Sequence, residues 1–345
     1  MQNRLGSYTT GTTDFRKILR QNHYRTYFVI FLFFFIYCTI GLLVDLYLYL
    51  PAYPDATLSQ ILLALITFQL FPIATLVMLG IAGLSLFISY ALYDKLMLLG
   101  TNYHEVTSET AQNVTEQQLY NVVEEMKVAA SLRYMPKIFI IETDAMNAFA
   151  SGYSEKSAMV AITRGLINKL NRDELQAVMA HELSHIRHLD IKLTLTASLL
   201  ANLTIMVLDI FFYNAIFSNR RSSGRSRSLL SLIILLRYTL PIISVLLLLY
   251  LSRTRELMAD AGSVELMRTN EPLASALLKI HEDYNKHRDQ YGTQETPHEN
   301  IRREAYIYDP TLAGIHGLSS ISDLFSTHPS LETRLEALGF KQKIE

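Results

Sequence analysis

Two histidines lie four residues apart with a glutamate directly after the first, in the run His181-Glu182-Leu183-Ser184-His185. On an α-helix of about 3.6 residues per turn, positions i and i+4 stack on one face. Both imidazoles can then reach one ion, while Glu182, turned by about a hundred degrees, can reach its water. The set suits hydrolysis assisted by a metal ion, with the carboxylate as general base. Three other His-Glu pairs, His104-Glu105, His281-Glu282 and His298-Glu299, lack a histidine three residues after the glutamate. A catalytic zinc takes three protein ligands and keeps a fourth position open. His188 lies on the same stripe but about 10 Å along the axis from His181, too far to share their ion, and reads as a surface or interfacial residue. Position 191, where a third histidine of an extended motif would stand, is Ile191, and the single cysteine, Cys38, excludes a thiolate cluster. A carboxylate from another helix remains. The run Ser252 to Asp260 offers one: Glu256 and Asp260 are four apart and share a face, so Glu256 can ligate zinc while Asp260 accepts the far ring N–H of a ligand histidine.

These residues need rigid elements beneath them. Asn171 followed by Glu174 has the form of a capping box and opens a helix near Arg172 that carries the HExxH run. Upstream, Thr115 with Gln118 resembles another such cap, after which Leu119, Val122, Val123, Met126 and Ala130 recur at helical spacing until Pro136. Lys137 to Glu142, Asn147 to Ala150 and Ala158 to Thr163 read as short strands. Residues 102–192 therefore form a water-soluble α+β unit.

The flanks are of another kind. Half of the 345 residues are hydrophobic, 18% are charged and the mean hydropathy is +0.18, which excludes a purely soluble chain. Tyr27 to Val44 carries no charge over a length that meets the lower limit for crossing a ~30 Å hydrocarbon core. Arg4, Arg16, Lys17, Arg20 and Arg25 precede it against one Asp14, so it reads as a retained signal anchor with a cytoplasmic amino terminus. The uncharged stretch Ala56 to Tyr93 is read as one span over roughly residues 71–93, with its earlier part at the interface. Leu193 to Phe217, with Asp209, and Leu229 to Ser252, with Arg237, are both long enough to span. Their link, Ser218 to Ser228, holds four arginines and runs against the positive-inside rule if it lies outside. A solvated loop, a hairpin only partly inserted, and helices covering the catalytic domain all stay open. Asp209 and Arg237 could pair within the bundle or snorkel.

The HExxH helix runs toward the third apolar stretch and the Glu256 segment emerges from the fourth. Both ends must lie on one side to share an ion, so an even number of crossings separates them. His185 stands eight residues before Leu193, about 12 Å of helix, which sets the metal near the membrane surface. Net charge is −1, giving no bias toward nucleic acid, and no Walker-type loop occurs, so neither nucleic acid nor nucleotide is expected as a partner.

Taken together, the HExxH run, the RExxAD pattern at Arg255 to Asp260, NAFASG at Asn147 to Gly152, and Thr327-His328-Pro329 followed by Arg334 resemble the HtpX family of membrane-embedded zinc metallopeptidases. The resemblance covers about Tyr27 to Leu338. It implies a gluzincin-type endopeptidase with one Zn2+ per chain held by His181, His185 and Glu256, and Glu182 as general base. It also implies that Asn147, Ala148, Phe149 and Ala150 offer an edge strand to an extended substrate, and that His328 and Arg334 approach the site as donors to the developing oxyanion. The substrates implied are misfolded or damaged membrane proteins, in quality control at the bacterial inner membrane, with the catalytic domain cytoplasmic and the lipid bilayer as partner. Leu257 stands where the family commonly has an aromatic residue, and the basic arm is longer than expected. The expected fold class is α+β, membrane-integral, with about four hydrophobic helices and a zincin-like domain whose HExxH helix packs on a small sheet. The expected division is a basic arm (1–26), two transmembrane helices (27–93), a first catalytic part (94–192), a hydrophobic hairpin (193–252) and a second catalytic part (253–345). A protease of prenylated C-termini and a non-enzymatic membrane scaffold are the rival readings.

Overall fold

The computed structural model describes residues 8–10, 15–98, 100–111, 113–152, 154–217, 224–287, 306–307 and 328–342. The arginines at 220 and 221 and Thr327, named above, lie outside the described residues. The chain forms two compact units: residues 27–89 with 193–248, and residues 1–26 with 90–192 and 249–345.

In the first unit, helix α1 (Phe15–Tyr49) begins within the basic arm and continues through the first apolar run. Helix α2 (Leu58–Ile66) is opened by a capping box at Thr57 with Gln60, and α3 (Ile73–Leu98) follows. Asp45 is buried on α1 and caps α3: its carboxylate accepts from the backbone N–H of Ala74 (2.7 Å) and Thr75 (2.9 Å) and from the Thr75 hydroxyl (2.7 Å). Charge at a helix amino terminus offsets the unpaired N–H dipoles there. Helices α7 (Asp190–Phe217) and α8 (Gly224–Met267) supply the other apolar segments. The Asp209–Arg237 pairing occurs, with Nε 2.7 Å from Oδ1 and the guanidinium 4.3 Å over the Phe212 ring. Four long hydrophobic helices were expected. Among the described residues two stretches are long and apolar enough to span, Tyr27–Tyr49 and Ile234–Met267, whereas those in α3 and α7 are shorter, Ile73–Ser85 and Thr196–Ile210.

The second unit is built on a four-stranded sheet, order β2-β3-β5-β4, from β2 (Tyr103–Val106), β3 (Lys137–Ile141), β4 (Ala148–Ser151) and β5 (Met159–Thr163). β3 and β5 are parallel, and the outer pairings are antiparallel. Because side chains alternate across a strand, Ile138, Ile140, Ala148, Ala150, Val160 and Ile162 enter the main core, while Phe139, Ile141, Phe149, Met159 and Ala161 join a second cluster on the other face. Helices α4 (Val114–Ala129), α6 (Arg172–His188) and α9 (Glu271–Lys286) contribute to the main core, and the short α5 (Arg164–Lys169) follows β5 directly. A small antiparallel pair joins β1 (Tyr8–Thr10) to β6 (Phe340–Gln342).

Two local expectations are corrected. The cap of α4 is Asn113, which accepts from Glu116 N at 2.9 Å, rather than Thr115, and the helix ends at Ala129, with Ser131 at φ 57, ahead of Pro136. The HExxH helix also does not run on into the third apolar stretch. α6 stops at His188, Leu189 takes a left-handed conformation (φ 54, ψ 35), and α7 starts afresh at Asp190, so the 12 Å of continuous helix does not exist. α8, by contrast, is one helix from Gly224 through Pro241 to Met267.

Candidate active site

α6 begins with the expected capping box, Asn171 and Glu174 each holding the other's backbone N–H at 2.9 Å. Glu174 is buried and also accepts from Ser275 (2.7 Å) and Lys279 (2.6 Å) of α9. Three turns on, His181, Glu182 and His185 are all buried. α8 passes close beside them. A Cβ on Gly262 would lie 2.0 Å from Ser184 Oγ, and Ser263 Oγ donates to the Ala177 carbonyl at 2.8 Å. This contact brings Glu256 to the histidines.

His181 Nε2 and His185 Nε2 are 3.2 Å apart, and Glu256 places Oε2 3.6 Å from the first and Oε1 3.6 Å from the second. Around a tetrahedral zinc with bonds near 2.0–2.1 Å, ligand atoms sit about 3.3–3.4 Å from one another. The three side chains, one ligand atom each within 4.8 Å of the others, match that spacing. Among the described residues Glu256 Oε2 and both Glu182 oxygens are buried with no hydrogen-bond partner, an arrangement that costs free energy unless a bound ion or its water completes it. The residues thus fit a metal ion.

Around this set, His181 Nδ1 lies 3.0 Å from Asp260 Oδ1. Burial works against a charged His181, but the nearby Asp260 and Glu256 carboxylates outweigh it and push its pKa up to about 9 in the metal-free chain. Burial raises the carboxyl of Glu182, only partly countered by the neighbouring histidines. His328 is buried with Nδ1 3.6 Å from Glu256 Oε2. Arg334 is placed differently from its expected role as an oxyanion donor. It sits in α10 (Leu331–Ala337), where Nε and one terminal nitrogen grip Asp260 at 2.9 and 2.6 Å and the other donates to the Ile307 carbonyl. Asp260 therefore stands between His181 and Arg334, and the guanidinium faces the carboxylate.

Three participants were not singled out from the sequence. Asp190 Oδ2 lies 2.9 Å from His185 Nδ1, a contact that depends on the break at Leu189 and leaves no signature at helical spacing. Ile307 donates its N–H to the Ala148 carbonyl at 2.9 Å, and Tyr306 packs its ring 5.8 Å from that of Phe149. Asn147, Ala148, Phe149 and Ala150 are all buried, and β4 is an edge strand of the sheet. Asn147 turns its carbonyl to Thr163 N of the neighbouring strand (2.9 Å), so alternation turns the backbone groups of Ala148 and Ala150 outward. His188 is partly buried, with Nδ1 3.2 Å from Ser184 Oγ.

The model of peptidase family M48 matches residues 113–340, which contain every ligand-bearing and donor residue described above. The Protease HtpX homolog of Helicobacter pylori is 37% identical over 327 residues, covering 95% of this chain and 98% of that protein. The Protease HtpX homolog of Streptococcus uberis is 31% identical over 330 residues, covering 93% and 97%. Among solved structures, the crystal structure of S. mikatae Ste24p aligns with a TM-score of 0.48 at 17% identity, over 96% of this chain and 68% of that one. With the family model spanning most of the chain and curated relatives above 30% identity along nearly all of it, the chain belongs to peptidase family M48, among the HtpX metalloproteases.

Proposed function

We propose that the protein is a zinc-dependent endopeptidase of the bacterial inner membrane that cleaves misfolded or damaged membrane proteins, its catalytic unit facing the cytoplasm. The observation that carries the chemistry is the near-tetrahedral spacing of His181, His185 and Glu256 beside the unpartnered Glu182. Bound there, zinc would supply Lewis-acid polarisation of water and of the scissile carbonyl. Glu182 takes the proton of the attacking water on a carboxylate oxygen and passes it to the leaving amine nitrogen. A carboxyl raised by burial is the better proton acceptor for the first of these transfers. His328 directs a ring N–H at the oxygen on which negative charge develops, where a donor lowers the transition state more than the ground state. Arg334 acts through Asp260, holding the carboxylate that holds His181.

The substrate pairs as an extended strand with the outer edge of β4. Since Ile307 already takes the Ala148 carbonyl, the outward groups of Ala150 are, among the described residues, those left to a substrate backbone. Membrane substrates and the cytoplasmic side are supported by the apolar helices and by the basic residues ahead of Tyr27.

The test is metal analysis together with casein cleavage, wild type beside Glu182→Gln. One zinc per chain in both, with cleavage lost only in the variant, is expected. Retained cleavage at normal metal content would sink the general-base assignment, and absence of zinc from the wild type would sink the proposal.

A further inference from the structure

We infer that Asp190 is the positioning residue of the second histidine ligand, orienting His185 toward the metal. The inference rests on the zinc reading above. Its starting point is a backbone oddity. Leu189 adopts φ 54, ψ 35, a conformation that costs a β- or γ-substituted L-residue about 1 kcal/mol and is ordinarily taken by glycine at a helix end. Nothing in the hydrophobic pattern requires a stop at this point, since apolar residues resume at Ile191 and Leu193.

The geometry supplies the reason. In an unbroken helix, residue i+5 points about 140° away from residue i and cannot meet its ring. With the left-handed residue inserted, Asp190 returns over the last turn of α6. Its Oδ2 then reaches His185 Nδ1 at 2.9 Å, with the aspartate fully buried. That hydrogen bond fixes the tautomer in which Nδ1 carries the proton and Nε2, 3.6 Å from Glu256 Oε1, keeps its lone pair for a metal. Arg255, buried and next to the third ligand Glu256, places Nε 3.9 Å from the same Asp190 oxygen. The site is therefore built twice over on one plan. His181 is backed by Asp260 and His185 by Asp190, so that each ligand imidazole has a buried carboxylate behind it; Arg334 hydrogen-bonds the first carboxylate, and Arg255 approaches the second at 3.9 Å. Arg255 also links the two helices, since its own backbone carries Glu256 into place.

The full-length chain, purified in detergent, tests this by zinc competition against a chelator and by the absorption spectrum of the cobalt-substituted protein. Asp190→Ala should weaken zinc binding about 10- to 100-fold, the range for lost partners of metal-bound histidines, and shift the cobalt bands. Asp190→Asn keeps the size and one acceptor oxygen, and should weaken zinc binding by a smaller factor of about three to ten. Leu189→Gly, which relieves the backbone strain and leaves Asp190 intact, should bind zinc as the wild type does. Wild-type affinity and an unchanged cobalt spectrum in both aspartate variants would overturn the inference. If Asp190→Ala fails to fold, the Asn variant decides alone by the same two readings. A wild type that binds no zinc would remove the proposed function together with the inference, whereas a wild type with one zinc and indifferent Asp190 variants would remove the inference only.

Discussion

At the scale of single residues, buried charges are tolerated here because nearly all of them have geometry to offset desolvation. Arg334 is the clearest case: its planar fork meets both oxygens of Asp260, something a lysine could not reproduce. Truncating it leaves a buried carboxylate without its main partner, a change worth about 3–5 kcal/mol. Arg334→Ala and Arg334→Lys are therefore expected to lower zinc affinity and protein stability together. His328→Ala should instead retain zinc and lower kcat about ten- to a thousandfold, the range for a lost oxyanion donor. Zinc titration beside kcat separates the two residues. Loss of zinc on removing His328 would make it a ligand or a support instead. The HExxH run could be read directly because its spacing is that of the helix itself. Glu256 and Asp260 were reachable for the same reason. Asp190 was not, because its contact arises from one left-handed residue, and no periodicity announces a residue that departs from the period.

Among the elements, the placing of Glu256 depends on how closely α8 approaches α6. A methyl on Gly262 would sit 2.9 Å from Ser184 Cβ as well as 2.0 Å from its hydroxyl, so rotating the hydroxyl away does not clear the contact. Gly262→Ala is expected to push the helices apart and weaken metal binding. Adding Ser184→Gly should recover binding while costing about 1 kcal/mol of helix stability; zinc competition on the single and double variants checks both. The start of α6 makes a second, pH-dependent tie. Burial raises Glu174, but Lys279, the Asn171 N–H and Ser275 outweigh it and leave the carboxyl lowered. A folded pKa below the unfolded 4.5 means that the unfolded chain binds more protons in between. The stabilisation is thus complete above about 4.5 and fades as pH falls through the lowered value. Glu174→Gln should cost about 1.5–3 kcal/mol near neutral pH, and thermal unfolding of both proteins should show the gap narrowing below that point. Caps and strands differed in legibility. Asn171 with Glu174 stood alone before its helix, whereas Thr115 with Gln118 read as the opening of α4 and the cap used is Asn113, two residues earlier. β2, Tyr-His-Glu-Val, has one buried residue of four and carries no alternation to read.

For the whole molecule, the shared metal site constrains how the chain crosses the bilayer. His181 precedes the third apolar stretch and Glu256 follows the fourth, yet their side chains approach to 3.6 Å. Were α1 and α8 the only spanning helices, these residues would lie on opposite faces of the membrane. α7 and α8 must then both cross or neither cross. The same parity governs the earlier stretch. α2, with nine residues, is about 14 Å long, under half of a ~30 Å core, whereas the 26 residues of α3 reach about 39 Å. Under the proposed topology, in which α1 and α3 each cross once, the chain would return to the side of its amino terminus, and the arginines before Tyr27 would put that side in the cytoplasm. Ser108 is exposed, and Cys38 is the chain's single cysteine, so Ser108→Cys in a Cys38→Ser background gives one reporter thiol in the catalytic unit. A maleimide that cannot cross membranes is expected to label it in inverted vesicles and to spare it in intact cells. Labelling from the outside would mean that residues 56–93 cross twice. His181, Glu256 and the whole catalytic unit would then lie on the external face together, since the contact between those two side chains forbids moving one without the other.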